Sequence, residues 1–212
     1  MRKRSLFITF EGMDGSGKTT QMRLLAEGLR ARGREVLETA EPGGTRIGIE
    51  IRRILLDAAN QELAPTAEML LYFACRAQNV DEWIVPALAA DKIVLSDRFT
   101  DSTLVYQGCG RGLGAETVMA LDLIACRGLV PDLTLLIDID AETSLARAHA
   151  RNASEQQGET RMDEQSLEFH RRVYDAYHAL ALREPGRLRI VDGRAPVEAV
   201  AAEIRKAVEP YV

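Results

Sequence analysis

The chain has 212 residues, 46% apolar and 28% charged, with a formal net charge of −5. That length and composition suit one α/β domain spanning 1–212. No run approaches the ~20 apolar residues that cross a bilayer, which argues against a membrane partner, and the acidic balance argues against a nucleic-acid partner gripped through its phosphates.

Taken in order, Leu6–Phe10 is an apolar run stopped by Glu11. Behind basic Arg2, Lys3 and Arg4 it is too short for a signal-peptide core and reads as a buried first strand. Gly12-Met13-Asp14-Gly15-Ser16-Gly17-Lys18-Thr19 follows directly and matches G-x-x-x-x-G-K-[ST]. Glycines let backbone N–H groups turn inward and approach phosphate oxygens closely. The helix beginning near Lys18 aims its positive end at the same anion. In this motif Lys18 reaches the β- and γ-phosphates of a nucleoside triphosphate, and the Thr19 hydroxyl holds Mg²⁺. Lys18–Arg32 continues with Met22, Leu25, Ala26 and Leu29 on one helical face.

Glu35–Thr39 reads as a second strand, followed by turn chemistry in Glu41-Pro42-Gly43-Gly44-Thr45. Arg46–Leu56 has helical spacing. Thr66–Ala90 reads as a long helix, capped by Thr66 with Glu68 in its first turn, and kinked or broken at Pro86. Lys92–Asp97 is a third strand ending in Asp97-Arg98-Phe99. An aspartate there can hold Mg²⁺ or its water, and an arginine can bridge two phosphates. Taken alone, such a pair is more often a solvated ion pair. Ala115–Cys126 reads as a helix, Leu133–Asp138 as a strand and Ala141–Arg151 as a helix. Asn152–Thr160 is polar and contains glycine, the composition of a mobile loop, and Arg147, Arg151 and Arg161 flank it. Asp163–Leu182, Leu188–Asp192 and Pro196–Val208 complete the series as helix, strand and helix.

Strand and helix alternate throughout. The expected fold is therefore a P-loop NTPase fold, a parallel five-stranded sheet with helices on both faces and ligands beyond the strands' carboxyl ends. The motif predicts nucleoside triphosphate binding but leaves the acceptor open. Asn60, Asn79 and Asn152 are not followed by lysine, so the guanine-reading Asn-Lys-x-Asp is missing. Cys75, Cys109 and Cys126 form no CxxC pair, and they read as free thiols of a reducing, cytoplasmic compartment.

Several blocks together resemble thymidylate kinases over essentially the whole chain. They are Phe10-Glu11-Gly12 through Thr20, Glu41-Pro42-Gly43-Gly44-Thr45, Tyr72-Phe73-Ala74-Cys75-Arg76-Ala77-Gln78, Asp97-Arg98-Phe99, Tyr106-Gln107-Gly108 and Pro131-Asp132-Leu133-Thr134. The resemblance implies a nucleoside monophosphate kinase domain that moves the γ-phosphate of Mg-ATP onto dTMP, with a lid at about 147–163 and a homodimeric assembly. Residues 12–20 would hold ATP, with Asp192 bordering the adenine and Lys18, Asp97, Arg98 and Arg151 acting in catalysis. Asp97 and Thr19 would hold Mg²⁺. Arg52 and Arg98 would hold the acceptor phosphate, near Glu41, Pro42 and Asp14. Phe73 would stack on thymine, although a helical Phe is by itself usually core. Arg76 would donate to a thymine carbonyl and exclude cytosine. Thr103 and Gln107, with Ser102 nearby, would line the base pocket, and Tyr106 would disfavour a 2′-hydroxyl.

With Gly at position 15 and no basic residue in the loop before Lys18, the chain resembles the lid-arginine type common in bacteria. Its lid departs from the usual pattern: Arg147, His149 and Arg151 replace three alternating arginines, and Thr160-Arg161-Met162-Asp163-Glu164 replaces Asp-Arg-x-x-Glu. Arg151 is expected at the transferring phosphate, with Arg147 and Arg161 behind it. The competing expectations are a kinase for dUMP, dCMP or a deoxynucleoside, and a nucleotide-dependent switch that phosphorylates nothing.

Overall fold

The computed structural model describes residues 5–155 and 159–212, without the side chains of 154 and 155. Arg2, Lys3 and Arg4, and residues 156–158 of the expected lid, lie outside the described residues. Five strands, β1 (Leu6–Glu11), β2 (Val36–Ala40), β3 (Ile93–Asp97), β4 (Leu133–Asp138) and β5 (Leu188–Asp192), form one parallel sheet in the order β2-β3-β1-β4-β5. β1 is central and buried along its whole length, which is why it reads as a continuous apolar run rather than an alternating one.

Successive β1 side chains serve opposite faces. Leu6, Ile8 and Phe10 join Met22, Leu25 and Leu29 of α1 (Lys18–Ala31) and Val200, Ile204 and Val208 of α9 (Val197–Val208). Phe7 and Val94 point the other way, to Met69 and Phe73 of α3 (Pro65–Asn79) and Val118 of α6 (Ala115–Cys126). A third apolar cluster joins Met13, Tyr106 and Met162 to Phe169, Val173 and Tyr177 of α8 (Leu167–Arg183). It lies beside the carboxyl ends of β1 and β4, where the site is built.

Four local expectations are corrected. α3 begins at Pro65 with Ala64 as its N-cap, so Thr66 lies inside the helix and does not cap it. The expected break at Pro86 is a π-helical stretch, Val80–Ile84, running straight into α4 (Val85–Ala89). The wider turn absorbs the N–H that proline lacks. α7 (Ala141–Glu155) takes up the first residues of the expected loop. α8 starts at Leu167, where the Ser166 hydroxyl accepts from Phe169 N at 3.2 Å as N-cap. The sequence reading also missed α5 (Thr100–Thr103) and the π-helical Leu104–Gly110 that continues it. Their glycines obscured a helix that needs them: a Cβ on Gly110 would lie 2.7 Å from the Phe169 ring.

Candidate active site

The carboxyl ends of β1 and β3 lie side by side, with Phe10 in register with Asp97. The glycine-rich loop leaves β1 there, and its first glycine, Gly12, has φ +132 and no room for a Cβ, which would come within 2.4 Å of Ile137 O. Lys18 is buried and donates from Nζ to Met13 O at 2.8 Å. Burial, with the nearby Arg98 charge, brings its ammonium down to about 8. The Thr19 hydroxyl donates to Asp97 Oδ2 at 2.6 Å. This oxygen pair suits Mg²⁺, which takes one or two protein oxygens and completes its shell with water and substrate phosphates.

Arg98, with an unusual φ of +72, turns its guanidinium into the cleft. Nη2 donates to Asp14 Oδ1 at 2.8 Å, and Nη1 to Ser102 Oγ at 3.0 Å and Tyr177 OH at 3.3 Å. The group lies 5.0 Å from the centre of the Tyr106 ring. Burial pushes the Asp14 carboxyl up, but Arg98 and Lys18 outweigh it and hold it well below the usual range. Behind this cluster stands Glu11, which the sequence reading gave no role. Its carboxylate accepts from Phe99 N at 2.8 Å, Ser102 Oγ at 2.6 Å and Tyr177 OH at 2.8 Å. Its only sequence signal is a carboxylate ending an otherwise apolar strand.

At the far end of the cleft from the glycine-rich loop, Arg52 donates from Nε to Glu159 at 2.9 Å and from Nη1 to Pro42 O at 2.9 Å. Arg76 is 1% exposed. Its Nε donates to Glu41 Oε2 at 2.6 Å and its Nη2 to Phe99 O at 3.0 Å, while Nη1 has no partner among the described residues. Glu41 therefore supports Arg76 as well as lining the cleft. Tyr106, Thr103, Gln107, Ser102 and Pro42 also line it, around a volume of about 670 Å³. Small-molecule sites are typically of this size.

Phe73 requires correction. It sits in the apolar core with Val80 and Ile84, 5.0 Å from the Arg76 guanidinium, and is not among the cleft-lining residues. Tyr72 lines the cleft instead. Adjacent residues lie about 100° apart around a helix, so Tyr72 and Phe73 cannot both face the cleft: Tyr72 lines it beside Arg76, and Phe73 packs on the inner side of that guanidinium. That spacing was the available signal.

The arginines of the expected lid separate in the same way. Arg147 Nη1 donates to Gly15 O at 3.3 Å and Gly193 O at 3.5 Å. Arg151 reaches the cleft and pairs with Asp163 at 3.0 Å. Arg161 does not reach it: the side chain is 1% exposed, donates to Leu55 O and pairs with Glu68 at 2.7 Å. Its expected ATP contact gives way to a buried structural role. Asp192 is engaged by its neighbour Arg194 at 2.8 Å. The sequence reading also missed Ser144, whose hydroxyl donates to Asp14 O at 2.7 Å and steadies the phosphate loop from α7.

A family model described as thymidylate kinase matches residues 10–204. The chain is 51% identical over 199 residues to a thymidylate kinase of Pelobacter propionicus, covering 93% of this chain and 91% of that one. It is 48% identical over 209 residues to one of Desulfovibrio desulfuricans, covering 98% and 96%. The chain belongs to the thymidylate kinase family. The crystal structure of a thymidylate kinase from Ehrlichia chaffeensis superposes with a TM-score of 0.79 at 33% identity, over 97% of this chain and 99% of that one. The P-loop NTPase fold expected from the sequence holds, and the chain is an enzyme rather than a switch.

Within this member of the family, buried Glu11 has a measurable signature. Burial, reinforced by Asp101, lifts its carboxyl from the ordinary 4.5 to about 7. The stability tied to this group is full below pH 4.5, where both folded and unfolded states are protonated, and is lost as pH rises through 7 and a charge must be buried. At about 1.4 kcal/mol per pH unit the loss is on the order of 3 kcal/mol. Glu11→Gln removes the titration. The Tm of the variant minus that of the parent is expected to rise from pH 5 to pH 8, and a constant difference would refute the assignment.

Proposed function

We propose that the chain transfers the γ-phosphoryl group of Mg-ATP to dTMP. The observation that carries this reading is one continuous cleft holding Lys18 at the phosphate loop, Arg98 in the middle, and Arg52 and Arg76 at the far end. It supports a triphosphate site facing a monophosphate site, with a positive charge between them. The loop amides and Lys18 bind the β- and γ-phosphates. Thr19 and Asp97 would hold Mg²⁺, which offsets the negative charge of the ATP phosphates. Arg52, exchanging Glu159 for substrate, and Arg98 hold the 5′-phosphate of dTMP. One of its oxygens bonds to the γ-phosphorus as the bond to the bridging oxygen of ADP breaks, so the protein's task is alignment and charge. Residues 147–163 act as the lid within a single kinase domain, and Arg151 brings the last positive charge.

ADP release is measured with dTMP, dUMP, dCMP, dGMP or thymidine as acceptor, and with none. Turnover is expected to be strong with dTMP and weaker with dUMP. Slow release that no acceptor accelerates would sink the reading. The family fold also supports a homodimer: Leu70 of α3 and Met119, Leu123 and Ile124 of α6 expose apolar surface. Leu123→Asp is expected to halve the sedimentation mass, and a parent that already runs as one chain would overturn this. None of the described helices is long and apolar enough to cross a membrane. Cys75, Cys109 and Cys126 are in no disulfide, which supports a cytoplasmic setting. Fractionation of the tagged chain checks it.

A further inference from the structure

Glu68 lies one helical turn before Tyr72 on α3 and has no exposed surface. Its Oε1 accepts from Gln107 Nε2 at 2.7 Å and Arg111 Nε at 3.2 Å, and its Oε2 faces Arg111 Nη2 at 3.0 Å and Arg161 Nη1 at 2.7 Å. Burial pushes its carboxyl up, but donation from Arg111 and Gln107, with the Arg111 and Arg161 charges, holds it below the usual carboxylate range. The group is thus ionised, and an ionised carboxylate only accepts.

That fixes the Gln107 carboxamide. Its nitrogen must face Glu68, because the oxygen there would meet a second acceptor. The Gln107 oxygen accepts no hydrogen bond among the described residues, and Gln107 lines the cleft. Arg76 lines the same cleft, and its Nη1 presents the converse, a buried donor without an acceptor among the described residues. One fixed acceptor and one fixed donor suit a base whose ring N–H stands beside a carbonyl, as in thymine and uracil. Cytosine offers a bare ring nitrogen beside an amino group and mismatches both.

We propose that Glu68 is the positioning residue for base selection: by holding the Gln107 amide nitrogen, it keeps the Gln107 oxygen as acceptor for the ring N–H of the acceptor nucleotide. The inference rests on the dTMP kinase reading and deepens it. The π-helical segment that carries Gln107, a widened turn of the kind found at functional sites, sets the side chain against both Glu68 and the cleft.

The test is the ratio of kcat/KM for dUMP to that for dCMP, two acceptors that differ only on the edge in question. Sites built to hydrogen-bond a substrate reject the mismatched analogue strongly, so the parent ratio is expected to exceed ~100. Glu68→Gln lets the amide turn over and is expected to lower the ratio at least ~10-fold, with KM for ATP unchanged. That variant also strips Arg111 and Arg161 of their counter-charge. Glu68→Asp, which keeps the charge but draws back from Gln107, and Gln107→Leu, which keeps both ion pairs, are therefore measured beside it with the same expectation. Arg111→Met loosens the cluster without freeing the amide and is expected to lower Tm but not the ratio. A parent ratio retained by folded Glu68→Asp and Gln107→Leu overturns the inference while leaving dTMP phosphorylation intact. A parent that phosphorylates neither dTMP nor dUMP removes the function reading, and this inference with it.

Discussion

Arg98→Ala is expected to lower kcat with dTMP by about 10³-fold, the scale on which an arginine serves a transferring phosphoryl group. In the proposed reaction Arg98 touches both phosphates at once. Asp14 holds one terminal nitrogen of its guanidinium and Ser102 and Tyr177 the other, so its direction is set before substrate arrives, and a preorganised charge acts without reorganisation during the reaction. Removing it also strands the Asp14 carboxylate, which should raise KM for dTMP. Arg98→Lys separates charge from geometry: an ammonium can meet Asp14 but cannot also span Ser102 and Tyr177 in a planar fork. Lysine is expected to recover only a small part of the loss. If either variant keeps kcat within tenfold of the parent, Arg98 is not at the reacting centre.

Two arginines of the proposed lid should diverge just as sharply. Arg151→Ala is expected to cost about 10³-fold in kcat while leaving thermal stability nearly unchanged, because the side chain is 41% exposed and its ion pair with Asp163 is only partly buried. Arg161→Ala is expected to do the reverse. Breaking a fully buried pair costs about 3–5 kcal/mol, and Arg161 and Glu68 are both inaccessible to solvent. Melting curves and steady-state kinetics on the two variants decide the matter. A stable Arg161→Ala with a collapsed kcat would return that residue to the phosphates.

The contrast shows what the sequence could convey. Strand positions were legible to within about a residue, since buried parallel strands write themselves as apolar runs between glycine-rich turns. The phosphate loop was legible because its spacing has one physical use. Phe73 and Arg161 were misassigned for a common reason: a motif gives the order of residues, but the phase of the helix decides which neighbour faces the ligand. Tyr72 and Phe73 are adjacent, about 100° apart around the helix, so only one of them can face the cleft, and it is Tyr72. Arg161 sits in an arginine-flanked stretch whose composition looks solvated, yet Glu68, 93 positions earlier, draws it inside. Glu11 and Glu68 left almost no trace, because a buried carboxylate is explained only by partners that come from distant segments.

The rung of the sheet that pairs Phe10 with Asp97 ties the reaction's geometry to the core. A slip of one residue between β1 and β3 would turn Leu6, Ile8 and Phe10 away from α1 and α9. The same slip would carry Asp97 about 3.3 Å along the strand, out of reach of Thr19. Any chain that settles its oily side chains correctly has therefore already brought the Thr19 and Asp97 oxygens together, and no separate force is needed to align them.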